Sequence, residues 1–465
     1  MAGEGRIASG ANPLLARLSL GRVNEIQQSH PPGPRNHRLG SGQALFVLGL
    51  ATGLLAALAV ERVARFFLDR DIELVRAVRD LALEEFVREV PEDRLIDKAL
   101  GGMLAGLDEY SHYYGPEELA SLDRETSGEF LGIGVVFRSG EVGRVLFPYP
   151  GSPAEKAGLR VGDRIVSAEG KPVARNEELQ GVLHGEESEV RLGVESLEGD
   201  QREVRLHPDV VLDPTVRHAR MLDATRGIGY VYIRSFSRRT SDEFDEAIAG
   251  LQRHGLRALV LDLRLDPGGI LDAALKIANR FVASGALLAQ RTRTETHVTE
   301  ADPARATLAG LPLVVLLDPL SASASEVLAA ALQDHAVAVL VGEPSYGKGT
   351  VQTLRPIGRE RAVVKITTAN YCSPSLRRIE HEDGDPAHGG IAPDVWVPLS
   401  PAERTEVKRF LWGYSPPEGA LAALHGWEER EGLHLIDAPP TDRQLEAALA
   451  LLADVAPDLH ADPLH

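Results

Sequence analysis

The sequence predicts a multidomain α/β chain: an N-terminal helix of membrane-span length, a helical segment, a small β/α domain and an α/β core with a central sheet. Three observations predict it. At 465 residues the chain is long enough for two or three domains. Its 43% hydrophobic and 25% charged residues are those of a globular protein. Buried-strand runs alternate with helical runs from about residue 229 to 342, the pattern of a sheet covered by helices.

Residues 1–42 are rich in Gly, Pro, Ser and Arg, lack an apolar period and read as a disordered tail. Arg6, Arg17, Arg22, Arg35 and Arg38 outweigh Glu4 and Glu25 there, whereas the whole chain carries a net charge of −18. A basic head on an acidic body suggests that the two face different compartments. Residues 43–60 read as a single-pass anchor. From Ala44 to Val60 the run is uncharged with Thr52 as its one polar residue, and its helix would be about 25 Å long, near the lower limit for a span. The arginines before it predict a cytoplasmic tail and a catalytic part on the exported side of the inner membrane, periplasmic or extracytoplasmic. Ala57-Leu58-Ala59 also fits a cleavage site, so a cleaved signal peptide is the alternative. Residues 62–125 carry apolar positions at helical spacing in two runs split at Pro91, a pair suited to packing or an oligomer contact.

Residues 126–210 change character. Glu129 to Phe137 alternates like a strand and carries Gly132 and Gly134. Ser152 to Gly158 is a capped short helix, Leu159 to Val166 a turn into a strand, and residues 177–183 another short helix. The arrangement resembles a PDZ domain. That resemblance implies a groove beside the 177–183 helix, in which the backbone of Leu131, Gly132, Ile133 and Gly134 would receive a peptide's C-terminal carboxylate. Residues 211–400 form the α/β core, with Ser241 expected to cap a helix to His254. Residues 401–465 are expected as a helical extension, with a run at 442–455 and no chemistry.

The chemistry concentrates in residues 311–352. A buried strand runs into Ser321, Ser323 and Ser325, separated by single alanines; a helix and a second strand follow, then Lys348 between Gly347 and Gly349. A serine hydroxyl needs a base within reach. No Gly-x-Ser-x-Gly elbow is present, so an ordinary Ser-His-Asp hydrolase is not signalled. A lysine whose pKa burial lowers can serve instead. Lys348 is that candidate, with Tyr346 to shield it and Gln352, one helical turn on, to orient it. Ser323 reads equally as the N-cap of a capping box with Glu326, and the two roles are compatible because a helix N-terminus favours a developing oxyanion. Asp318 reads as a turn residue. The Gly-x4-Gly-Lys spacing at Gly342 is not a phosphate-binding loop, since Gly349 stands where Ser or Thr would hold magnesium.

The PDZ-like stretch, LDLRLDPGG, SASASEVLAAALQD and SYGKGTVQT, in this order within about residues 75 to 400, resemble the carboxyl-terminal processing (tail-specific) proteases. The resemblance implies a core related to the ClpP/crotonase folds, Ser323 as nucleophile, Lys348 as general base and Gln352 as the third member. It implies an oxyanion hole from the N–H of Ala324 and of Gly268 or Gly269, and no cofactor. The chain departs from the family at Arg264-Leu265-Asp266, often Arg-Gly-Asn, and at Leu376, often Gly. Expected partners are proteins with apolar C-termini, the membrane, an activator protein and a second copy of the chain. The alternative is a catalytically latent PDZ scaffold or adaptor. The acidic charge argues against nucleic acid. Cys372 is the sole cysteine and no His-Glu-x-x-His run exists, so cysteine-built metal sites and that zinc motif are excluded.

Overall fold

The computed structural model describes residues 41–465 except 117, 120–127, 177, 180–188, 359–361, 381–389, 414–415, 436–438 and 454–465. Residues 1–40 of the expected tail lie outside these residues, as does most of the 177–183 helix, while residues 41 and 42, expected in the tail, are helical. The chain divides into two units, Met1–Pro91 and Glu92–His465. In the first, helix α1 (Ser41–Glu85) is continuous, so the expected anchor and the first run of the helical segment are one element. Leu50, Leu54, Leu55 and Val60 are 63–69% exposed. Among the described residues no helix is long and apolar enough to cross a membrane, so the structure does not supply the expected span.

The second unit opens with α2 (Glu92–Ala105) and β1 (His112–Tyr114). The segment expected as wholly helical to 125 thus contains a strand, paired with a later one, and its residues 120–125 lie outside the described residues. The small β/α part comprises β2 (Glu129–Gly132), β3 (Val135–Phe137), β4 (Val145–Pro148), α3 (Pro153–Lys156), β5 (Arg164–Ala168), β6 (Lys171–Pro172), β7 (Val190–Glu195), β8 (Gln201–Leu206) and β9 (Asp209–Leu212). Ser152 caps α3 as its sequence predicts, accepting the Glu155 N–H at 3.2 Å. Alternation along β7 puts Val190, Leu192 and Val194 into this part's own core with Ile133, Ile165 and Leu179.

The large part continues with β10 (Val216–Asp223), β11 (Ile228–Ile233), α4 (Thr240–Arg253), β12 (Ala258–Asp262), α5 (Leu271–Phe281), β13 (Ala286–Thr292), β14 (Thr296–Glu300), β15 (Leu313–Leu317), α6 (Ala324–Asp334), β16 (Val339–Gly342), β17 (Thr350–Ile357), β18 (Ala362–Cys372), β19 (Val395–Trp396), α7 (Pro401–Trp412), α8 (Glu418–Glu431) and α9 (Arg443–Ala453). Ser241 is not the N-cap of α4. The helix begins at Thr240, whose hydroxyl accepts the Ser237 N–H at 2.7 Å, so the cap position falls on Arg239, two residues before Ser241.

The central sheet has the order β10-β11-β12-β15-β16-β19, parallel throughout from β11 onward. Strands β11, β12 and β15 are buried at every position, because both faces are covered and each residue meets apolar neighbours whichever way it points. Helices α4, α5 and α6 cover one face. The other is covered by α7 and α9, with Val407, Leu411, Ala448 and Leu452 packed on Tyr230, Val260, Val314 and Val341. Helices α7 and α9 are therefore a layer of the core. Helix α8 between them packs Leu424 and Trp427 on Val136 and Phe147 of β3 and β4, tying the PDZ-like part to the same extension. A second sheet, β1-β18-β13-β14 with β17 on β18, projects beside the core.

Candidate active site

Three loops meet at the carboxyl ends of β12, β15 and β16, where open parallel sheets place their sites. The turn after β15 is tied to the turn after β12. Asp318 is a turn residue and more: buried, its Oδ1 accepts the N–H of Leu320 at 3.0 Å and, across the loops, that of Leu265 at 2.9 Å. The Ser321 hydroxyl donates to the Leu263 carbonyl at 2.9 Å, and the Ser325 hydroxyl to the Asp266 carbonyl at 3.0 Å. Both flanking serines are thus structural and fully buried. The middle serine differs. Ser323 is half-buried and holds φ +57°, ψ −114°, a conformation costing about 1–3 kcal/mol for a residue with a Cβ. Its N–H donates to Glu326 at 2.7 Å. Its hydroxyl faces the Glu326 N–H as in a capping box but makes no cap hydrogen bond.

Glu326 brings the serine and the lysine together. Its side chain is buried, and Oε2 accepts the main-chain N–H of both Ser323 (2.7 Å) and Lys348 (2.9 Å). Oε1 accepts the Gly347 N–H and the Ser345 hydroxyl, each at 2.6 Å. Burial pushes its pKa up, and these four donors pull it back. Gly347 turns at φ +87°, and a Cβ on Gly349 would stand 2.3 Å from the Glu380 nitrogen, so both glycines are required by the path of the chain.

The Lys348 amine is half-buried. Burial lowers its pKa, as does the Lys365 charge; Glu109 and Glu326 act in the opposite sense. The ring over it is that of Tyr110, 4.6 Å from Nζ to centroid, rather than Tyr346, which is 47% exposed. Tyr110 is held by Asp108, which accepts the N–H of Tyr110 (2.9 Å) and Ser111 (2.6 Å), in a loop fixed by the pairing of β1 with β18.

Gln352 is not one helical turn from Lys348. It lies in strand β17, where Thr350-Val351-Gln352-Thr353 favours extended backbone through its β-branched residues. Its amide donates to Thr350 Oγ1 (2.8 Å) and Thr367 Oγ1 (3.3 Å). Among the described residues no hydrogen bond joins Lys348 Nζ to Ser323 or Gln352.

The glycine turn packs on the serine. A Cβ on Gly268 (φ +93°) would stand 2.8 Å from Ser323 Cβ and 2.9 Å from the Ala324 nitrogen. The Gly268 N–H is engaged, donating to Asp266 Oδ1 at 2.8 Å. Gly269 (φ +143°) is held by the Phe236 strand through the hydrogen bonds of its neighbours, Phe236 N–H to Gly268 O (3.0 Å) and Ile270 N–H to Phe236 O (2.8 Å), which leaves its own N–H facing away. Of the expected oxyanion donors, Ala324 and Gly269 have N–H groups not engaged among the described residues.

The sequence did not single out Arg264. Fully buried, it donates to both oxygens of Asp262, to both of Asp442 at 3.0 and 2.7 Å, and to Gln444 Oε1 at 3.0 Å. Burial opposes its charge, but Asp262 and Asp442 raise its pKa well above the ordinary value. The single signal for it was an arginine inside an apolar strand end. In the PDZ-like part, Leu131 and Gly132 end β2, paired with β9, and Ile133 is core. Gly134 turns at φ +74° against Ser152. Strand β3, which follows, pairs with β4 alone among the described strands.

Comparison with known proteins bears on these features. A family model for peptidase family S41 matches residues 227–397, and one for the PDZ domain matches residues 145–196. The carboxy-terminal-processing protease of Bartonella bacilliformis is 32% identical over 376 residues, 78% of this chain and 84% of its own. The carboxy-terminal processing protease CtpA of Bacillus subtilis is 33% identical over 68% of this chain and 66% of its own. A solved structure, the photosystem II D1 C-terminal processing protease, is 29% identical over 73% of this chain and 92% of its own, with a TM-score of 0.42.

Proposed function

Since the chain belongs to peptidase family S41, with a PDZ domain before its core, we propose that it is a serine endopeptidase that captures proteins by an apolar C-terminus and cleaves them with Ser323 as nucleophile and Lys348 as base. The observation that carries this reading is Glu326 Oε2, which accepts the main-chain N–H of both residues and so joins the strained serine to the lysine loop.

In this mechanism a substrate tail adds as a strand along β3, its carboxylate on the Leu131–Gly134 turn. Lys348, neutral, takes the Ser323 proton as the hydroxyl attacks the scissile carbonyl. The N–H groups of Ala324 and Gly269 hold the oxyanion at the N-terminus of α6. Lys348 returns the proton to the leaving amine, and water hydrolyses the acyl-enzyme. Gln352 steadies the neighbourhood of the base through β17. The uncharged run at 44–60 supports a membrane anchor with the catalytic part exported; deletion of residues 43–60 should move the protein from the membrane to the soluble fraction.

A second reading has its own observation. The Lys348 amine rests on the Tyr110 ring with no bond to Ser323, the state of an enzyme at rest that an activator or bound substrate completes.

The test is cleavage of an unfolded protein ending in an apolar tail, beside a serine-reactive probe. Wild type should cleave and label, Ser323→Ala should do neither, and Lys348→Ala should not cleave. Cleavage by Lys348→Ala would remove the lysine from the mechanism. Wild type that neither cleaves nor labels until an activator is added would favour the resting enzyme.

A further inference from the structure

Asp266 stands in the glycine turn, and nothing in the mechanism above uses its side chain. Its main chain is committed: the N–H donates to Leu263 at 3.3 Å, and the carbonyl accepts from Ala322 at 2.9 Å and Ser325 at 3.0 Å. The side chain is wholly buried. Oδ1 accepts the Gly268 N–H at 2.8 Å, and Oδ2 has no hydrogen-bond partner among the described residues. The charged and titratable groups that face it are Arg234 at the end of β11, Tyr232 within β11 and Asp318 after β15. Arg234 gives one Nη to Asp213 at 2.6 Å, and its buried Nε makes no hydrogen bond to Asp266 or to any other described residue; Asp318 is a like charge when ionised. The Tyr232 hydroxyl is buried without a partner as well.

An ionised carboxylate here would keep a full charge in the core on one N–H, with one oxygen bare. Such a group neutralises instead, because desolvation exceeds what a single donor returns. Burial pushes the Asp266 carboxyl well above the usual range; Gly268, Ser325 and Arg234 oppose it and Asp318 adds to it. The consequence for the site follows from position. Gly268 lies directly against Ser323 and Ala324, so a charge on Asp266 would sit behind the place where a tetrahedral oxyanion develops.

We propose that Asp266 is a positioning residue that works as the neutral carboxylic acid: Oδ1 fixes the Gly268 N–H so that the turn presents the Gly269 N–H to the oxyanion, and the bound proton keeps the ground behind the hole uncharged. The inference rests on the reading of Ser323 as nucleophile. It makes the site bell-shaped in pH, because Lys348 must lose its proton while Asp266 keeps one. It also makes stability pH-dependent. A folded pKa raised above the unfolded value means that the native state holds a proton the unfolded chain releases, so stability falls as pH rises from the unfolded value through the folded one.

The test uses the full chain with Asp266→Asn, which keeps the acceptor at Oδ1 and replaces the acid O–H by an amide donor. Difference infrared spectra of wild type against Asp266→Asn at neutral pH should show a protonated-carboxyl C=O band in wild type alone. Asp266→Asn should keep activity within about threefold, lose any alkaline limb seen in wild type, and be less destabilised by alkali, whereas Asp266→Ala should lose about tenfold or more at every pH. No such band, or a folded Asp266→Asn protein about a hundredfold slower, would overturn the proposal. Ser323→Ala run alongside separates the two readings: if it cleaves normally the nucleophile assignment fails, while the infrared result still decides the state of Asp266.

Discussion

A single buried oxygen, Glu326 Oε2, joins the main chains of Ser323 and Lys348, the two residues that exchange a proton in the proposed mechanism. Glu326 was legible in the sequence as the third member of a capping box, but not its reach to the lysine loop, because Gly347 and Lys348 lie more than twenty residues further on and a cap motif is local. Replacing Glu326 by Gln puts an amide donor where N–H groups already point. It should lower kcat about 10- to 100-fold, with Lys348 displaced more than Ser323, as KM-against-kcat measurements would show. Lys348 itself offers a signed pH test. Lys365 repels its charged form and helps lower its pKa, so Lys365→Gln should raise that pKa and move the acid limb of kcat/KM to higher pH. An unmoved acid limb would mean that Lys348 is not the group titrating there.

At the scale of elements, the parallel strands and the helices between them could be read from sequence, since strands buried on both faces become unbroken apolar runs such as Ala258–Leu261 and Leu313–Leu317. The helical turn expected from Lys348 to Gln352 is a strand from Thr350 onward, and its β-branched residues were the overlooked signal. That region depends on close packing: Gly349→Ala would drive a methyl group into the Glu380 backbone, and it should lower Tm and activity together, because loop and β17 must shift as one. The Arg264 cluster was illegible for a different reason. Arg264 and Asp442 are 178 residues apart in sequence, and no local pattern marks an ion pair closed by the tertiary fold. Asp442→Ala leaves that buried guanidinium short of one carboxylate, and should cost about 3 kcal/mol in urea unfolding while slowing catalysis through the turn that begins at Leu265.

For the whole molecule, the extension after residue 400 is the part that sequence reading understood least. It showed helices without chemistry, whereas it supplies one face of the core through α7 and α9 and reaches the PDZ-like part through α8. Ending the chain after Ser400 would bare the face formed by Tyr230, Val260, Val314 and Val341, and the shortened protein should be insoluble or inactive on size-exclusion and cleavage assays. The contact under α8 also makes the chain its own optical gauge. Of the three tryptophans, Trp396 and Trp412 are 71% and 50% exposed, while Trp427 is 2% exposed against the PDZ-like strands, with the Arg138 guanidinium 5.7 Å from its ring centre. With Trp396 and Trp412 replaced by Phe, the remaining emission reports one interface. A red shift and easier quenching by acrylamide on adding a peptide would record the PDZ-like part lifting from the core, in real time and without a label.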